Sequence, residues 1–126
     1  MTLAPGSSRH HSRILDMDID EVVRELNLLL TANLVASLSG VRDPGQVRKW
    51  ARGDLVPRAP AEQRLRFALE MSDLISTASS SSHARRWFLS INPRLDFKSP
   101  LQAIRENSFQ RVGIAALAVA EDPSDG

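Results

Sequence analysis

The sequence contains no cysteine and no tyrosine, only four phenylalanines and two tryptophans, and no apolar run long enough to span a bilayer. Each absence excludes something. Without thiols there are no disulfides and no thiolate metal sites, and the composition fits a reducing compartment, so the expected location is cytoplasmic. With no stretch approaching ~18–20 apolar residues, no transmembrane helix is expected. The first residues lack an apolar segment followed by a cleavage site, so they do not read as a secretory signal. With so few aromatic residues the core must be built mostly from Leu, Ile, Val and Ala, which suits helices packed on helices. An excess of one charge is missing too: 16 basic residues face 15 acidic ones, a net charge of +1. The chain as a whole is no polyelectrolyte.

The signatures of catalysis are also wanting. His10 and His11 lie in a polar N-terminal stretch and His83 stands alone, with no metal-ligand spacing. The serine run 79–82 lacks a Gly-x-Ser-x-Gly elbow, and no glycine loop is built to cradle phosphate. Asp16, Asp18, Asp20 and Glu21 begin like a calcium loop but have neither its central glycine nor its closing glutamate, so they read as helix-start residues. No catalytic residue, metal or cofactor is expected, and the protein is read as a non-enzyme.

Hydrophobic residues make up 42% of the 126, enough for one compact unit or two small lobes sharing a core. Residues 1–16, rich in Ser, Arg, His, Gly and Pro, read as a mobile arm. Asp18 and Glu21 offer a capping box ahead of Val22, Val23, Leu26, Leu29 and Leu30. Thr31 is placed to cap a short helix through Leu38, closed by Gly40 in a left-handed turn. Asp43-Pro44 is a cap followed by a proline that loses no hydrogen bond, so a third helix runs to Arg52 and stops at Gly53. Pro60 opens the longest helix, about 60–78, with Leu65, Ala68, Leu69, Ser72 and Ile75 on one stripe and Phe67, Met71 and Leu74 beside it. Ser82 is a candidate cap for a helix from His83 to about Ile91, which Asn92-Pro93 breaks. Ser99-Pro100 starts another, and Asn107-Ser108 interrupts before the last apolar face. Trp87 and its neighbour Phe88 cannot share a helix face, which suggests an interface for one of them. No repeat and no convincing strand are found, and the fold class is all-α.

Residues 34–57 carry the strongest functional signal. A short apolar helix, a glycine turn and a second helix bearing Arg48, Lys49 and Arg52 follow the order of a helix-turn-helix. Ala36, Gly40, Val41, Val47 and Trp50 suit its internal anchors. Between Arg42 and Arg66 seven basic residues face only Asp43, Asp54 and Glu62, a local excess of the kind phosphate contact needs. The candidate DNA-binding residues are Arg42, Gln46, Arg48, Lys49 and Arg52, with the free amides of Asp43 to Gln46 facing phosphate. The interval from Gly40 to Val47 is one residue longer than in the common repressor-type motif. That leaves open a second class of function, an interaction module whose helix-turn-helix is vestigial. A single small motif contacts little DNA, so a homodimer on a palindromic duplex is expected.

At Val47-Arg48-Lys49-Trp50-Ala51-Arg52-Gly53, then Pro57, then Gln63 to Leu69, the sequence resembles the Xre/MbcA/ParS-like antitoxins. The resemblance continues at Trp87-Phe88-Leu89, Asn92-Pro93-Arg94-Leu95, Ser99-Pro100-Leu101 and Phe109-Gln110-Arg111-Val112, covering roughly residues 20–120. It implies a helix-turn-helix domain over 17–59 and a helical toxin-binding domain over 60–120; composition adds a flexible arm over 1–16, a departure from the family, and a polar tail over 121–126. It further implies an antitoxin that binds a RES-type toxin, represses its own operon on double-stranded DNA and dimerises. Toxin contact then falls on the last helix and tail, with Arg111, Val112, Glu121 and Asp122 as candidates. Solo regulators without a toxin also occur in such families.

Overall fold

The computed structural model describes residues 5–125. Its order is α1 (Pro5–Asp16), α2 (Ile19–Leu29), α3 (Ala32–Ser39), α4 (Pro44–Arg52), α5 (Ala59–Ala78), α6 (Ser81–Leu89), a 3₁₀ turn (Pro93–Leu95), α7 (Pro100–Arg105) and α8 (Phe109–Glu121). The fold is all-α. Among the described residues the sheet content is one isolated antiparallel bridge, Asn92 to Lys98.

The long helix α5 is the axis, touching α1, α2, α3, α6, α7 and α8. Its sequence explains why: Ala61, Leu65, Ala68, Leu69, Met71, Ser72, Leu74 and Ile75 are all buried, a band too wide for one stripe. Phe67 is half-buried and meets Phe109 edge-on, ring centroids 5.0 Å apart. Burying each large aliphatic chain is worth about 1.5–3 kcal/mol, so this helix is held by packing on several sides. A single buried cluster runs from Ile14 through Val22, Trp50, Leu65 and Phe88 to Val119, joining both halves of the chain.

Several starts and stops follow the sequence logic. Gly40 and Gly53 close α3 and α4 in the left-handed region, at φ 91° and 78°. Asp43 caps α4 and Ser99 caps α7, each accepting from the backbone amide of Gly45 and Gln102 respectively. Other expectations fail. Asp18 and Thr31 stand at the N-caps of α2 and α3 but make no side-chain cap bond, so the capping box does not form. Thr31 has φ 105°, and this backbone departs from ordinary cap geometry. The cap of α6 is Ser80, not Ser82: its hydroxyl accepts from the amide of His83 at 3.0 Å.

Two corrections bear on function. Residues 1–4 lie outside the description, but from Pro5 on the segment read as a mobile arm is helical. Its last turn is tied to α5: Ile14 is buried, the Arg13 guanidinium pairs with Asp73, and His11 Nδ1 lies 3.0 Å from Glu70. Arg66 Nη1 donates to the carbonyls of Ile14 and Met17 at 2.6 and 2.8 Å, capping the end of α1. Second, Trp87 and Phe88 are both buried, because α6 is covered by α5 on one side and α7 on the other. Their rings pack edge to face at 5.1 Å, and neither is left for an interface.

Candidate nucleic-acid interface

The helices α3 and α4 pack against one another across a four-residue connection, Gly40 to Asp43. The internal face of α4 is fixed by Val47 and Trp50, 0% and 2% exposed, which sit on α2 and α3. Two arginines pin the pair from outside. Arg24 Nη1 on α2 donates to the carbonyl of Ala51 at 2.8 Å, near the end of α4, and to Asp20 Oδ2 at 2.9 Å. That guanidinium holds the Asp20 carboxyl below its ordinary value. Arg64 Nη1 on α5 donates to the carbonyl of Ser39 at 2.9 Å, and its Nε donates to Asn107 Oδ1 at 2.9 Å. It satisfies an end carbonyl of α3 and links that end to the corner before α8. Gly40 lies at φ 91°, a backbone that favours glycine; a Cβ there would meet only the movable Arg64 Nη1, at 2.8 Å.

The candidate DNA-binding side chains divide. Arg42, Gln46, Arg48 and Lys49 are exposed on the turn and the outer side of α4, and none has a partner among the described residues. Arg52 is exposed but paired, its Nε 2.9 Å from Asp54 Oδ2. The expectation of free amides at the start of α4 fails. Pro44 has no N–H, the amide of Gly45 donates to Asp43 Oδ1 at 2.8 Å, and that of Gln46 to the Asp43 carbonyl at 3.0 Å. With a carboxylate seated on it, this helix start offers no anion cradle, and any contact there falls to side chains. A groove of about 520 Å³ runs beside it, lined by Gln46 and Trp50 of α4, Leu55 to Arg58 of the connector, and Arg64.

The candidate toxin-binding residues lie at the far end of the chain. Arg111, Glu121 and Asp122 are exposed. Val112 is 0% exposed, its side chain turned into the core one residue along α8 from Arg111, so it presents nothing to a partner. Arg111 is not free either: its guanidinium donates to Asp96 Oδ2 at 2.6 Å and to the Arg94 carbonyl at 3.3 Å. Arg94 pairs with Asp125, and Lys98 Nζ lies 2.6 Å from Glu106. Asp96 and Glu106 are drawn below their ordinary values by these partners, and Asp122 by the hydroxyl and amide of Ser124.

The turn these pairs hold carries features missed in the sequence. Asp96 and Phe97 both take left-handed backbone, φ 55° and 63°, uncommon for a phenylalanine. Phe97 is 68% exposed and Ile91 70%, at either end of the Asn92–Lys98 bridge. Ile114, also exposed, lies one turn along α8 from Arg111 on the same side. No periodicity marks this cluster; the asparagine-proline break beside it was the available signal. Among the described residues no group of three or more His, Cys, Asp or Glu is placed to hold a metal, and no helix is long and apolar enough to cross a membrane.

No protein-family profile matches the chain, and no solved structure does. Among curated proteins, the mycobacterial cidal antitoxin MbcA of Mycobacterium tuberculosis and that of Mycobacterium bovis are each 30% identical to it over 78 residues, 62% of this chain and 69% of theirs.

Proposed function

This chain belongs to the MbcA-like antitoxin family, and from that premise we propose that it neutralises a RES-type toxin with its C-terminal half and represses its own operon by binding duplex DNA through α4. In this reading residues 17–59 form the DNA-binding part and residues 60–120 the toxin-binding part. Two copies bind a palindromic operator, and the protein acts without catalysis in the cytoplasm, where both partners reside.

The observation that carries the DNA half is the outer side of α4. Arg48 and Lys49 stand exposed and unpartnered on a helix locked from behind by Val47 and Trp50, with Arg42, likewise free, on the turn before it. Unpaired cations on a rigid, exposed helix are what a major groove and its phosphates take up. The toxin half is supported by the family and by the apolar side chains of Ile91, Phe97 and Ile114, which a folded monomer leaves in water.

The test is co-expression with the neighbouring reading frame, with only this chain tagged. A partner that co-purifies and loses its activity in the complex is the expected result. The purified chain and the complex are then titrated with labelled duplex from upstream of the operon. A partner without DNA binding would leave a neutraliser with a vestigial motif, and DNA binding without a partner would leave a solo regulator.

A further inference from the structure

We propose that Arg58, outside the helix-turn-helix itself, is a phosphate contact of the same DNA-binding face. The inference rests on the reading of α4 as the DNA-facing helix and adds a residue to it.

Seven basic residues lie between Arg42 and Arg66, and the structure separates them by what they already hold. Arg52 is paired with Asp54. Arg64 is bonded to the Ser39 carbonyl and Asn107, and Arg66 to Glu62 and the carbonyls of Ile14 and Met17. These last two are structural clamps, half-buried and turned inward. Four remain: Arg42, Arg48, Lys49 and Arg58, all exposed and without a partner among the described residues.

Arg58 stands at the N-cap position of α5 in extended backbone, φ −67° and ψ 159°. Pro57 before it is buried and Pro60 lies in the first turn of α5, so the backbone that presents Arg58 is stiff. Arg58 lines the same groove as Trp50 and as Gln46, a first-turn residue of α4. The start of α4 has a deficit. Its amides are consumed by Asp43 and the Asp43 carboxylate repels an anion, so a phosphate passing there needs a cation from elsewhere. Arg58 supplies one, with a fork of donors matched to phosphate oxygens. A duplex is favoured over an acidic protein because the four free cations outnumber the exposed apolar side chains beside them, Leu55 and Val56. A phosphate track needs the first, and a protein interface the second.

The experiment measures binding of a fluorescent duplex from upstream of the operon across a range of about 50–200 mM salt. The proteins are wild type, Arg58→Gln, Arg58→Lys and Arg85→Gln, the last an exposed, unpartnered arginine on α6. Arg58→Gln is expected to bind roughly tenfold more weakly, with the slope of log K against log salt reduced by about 0.9 for each copy bound. Arg58→Lys restores most of the slope, and Arg85→Gln leaves it unchanged. An unaltered slope in Arg58→Gln, or an equal fall in Arg85→Gln, overturns the role of Arg58 while the α4 reading stands. Absence of binding by the wild type at the lowest salt overturns both. Arg58 is exposed, so Tm is expected to match wild type in every variant.

Discussion

On α4 and its flanks, Arg42, Arg48, Lys49 and Arg58 carry charge with no carboxylate to meet it, whereas around the 92–98 turn Arg94, Lys98 and Arg111 each hold one. The two regions have similar amounts of basic residue and opposite uses for it. Where cations are unpaired, binding a polyanion releases counterions and gains free energy that folding did not use. Where they are paired, the charge fixes backbone shape. What the turn offers a partner is then the apolar Ile91 and Phe97 between the pairs. A net charge of +1 conceals this division, because the acids near α4, Asp20, Asp43 and Asp54, are taken up by Arg24, by the helix cap and by Arg52, and leave its outer cations unpaired.

The largest effect is expected where the platform of the basic face is removed. Trp50→Ala deletes a side chain 2% exposed between α2, α3 and α4, and should cost about 3–5 kcal/mol in urea or thermal unfolding. DNA binding should disappear with it even where the variant stays folded, since α4 loses an anchor. Phe97→Ala is the matched change at the other region. It removes an aromatic of similar bulk that is 68% exposed, so stability should move by no more than about 0.5 kcal/mol. A stability loss from Phe97→Ala comparable to that of Trp50→Ala would break the comparison at once.

The second effect is on binding alone. Arg48→Ala with Lys49→Ala takes away two unpartnered cations, and the salt slope of DNA binding should fall by about 1.8 for each copy bound while Tm is unchanged. Arg52→Ala should do less, because Arg52 must first leave Asp54. The double variant binding DNA normally would show that α4 is not the helix that meets it. Toxin affinity should be untouched by this change. Phe97→Ala should lower it by about 2 kcal/mol or more if the turn is a central anchor, measured by calorimetry on the complex. Crossed results, with the double variant losing toxin and Phe97→Ala losing DNA, would exchange the two roles.

Much of the first region was legible in the sequence and little of the second. Asp43-Pro44, Gly40 and Gly53 are local signals: a cap, a proline and two left-handed glycines act within a few residues, so spacing alone locates α3 and α4. The packing roles of Val47 and Trp50 follow from helical period. Which arginines are free does not. Arg64 and Arg66 read as part of a basic face, yet reach carbonyls 25 to 52 residues away, and only the tertiary fold brings those together. The same limit hid α1, a polar segment anchored by the buried Ile14 and by side chains of α5. It hid the 92–98 turn as well, since two consecutive non-glycine residues in left-handed backbone have no compositional mark. The family resemblance placed toxin contact on Val112, a residue the core takes; motif residues in a small domain are as often packing residues as contacts.

The smallest expected effect is on pH, and it separates the two regions without a mutation. Asp96 and Glu106 are held below their ordinary values by Arg111 and Lys98. A group whose folded-state pKa is depressed contributes stability that is complete above its unfolded value, near pH 4, and is lost as pH falls through the folded one. Acidification should therefore loosen the 92–98 turn first. The internal anchors of α4, Val47 and Trp50, do not titrate. One carboxylate beside α4 shares the behaviour: Asp20 is depressed by Arg24, but Arg24 keeps its bond to the Ala51 carbonyl when Asp20 is protonated. In NMR spectra recorded from neutral pH downward, the amides of Asp96, Phe97 and Lys98 should shift with a midpoint below pH 4, ahead of the Trp50 indole, which should move only with global unfolding. Asp96→Asn should abolish the Phe97 transition and leave the Trp50 signal in place. A common midpoint for Phe97 and Trp50 would mean that the two regions unfold together and do not respond independently.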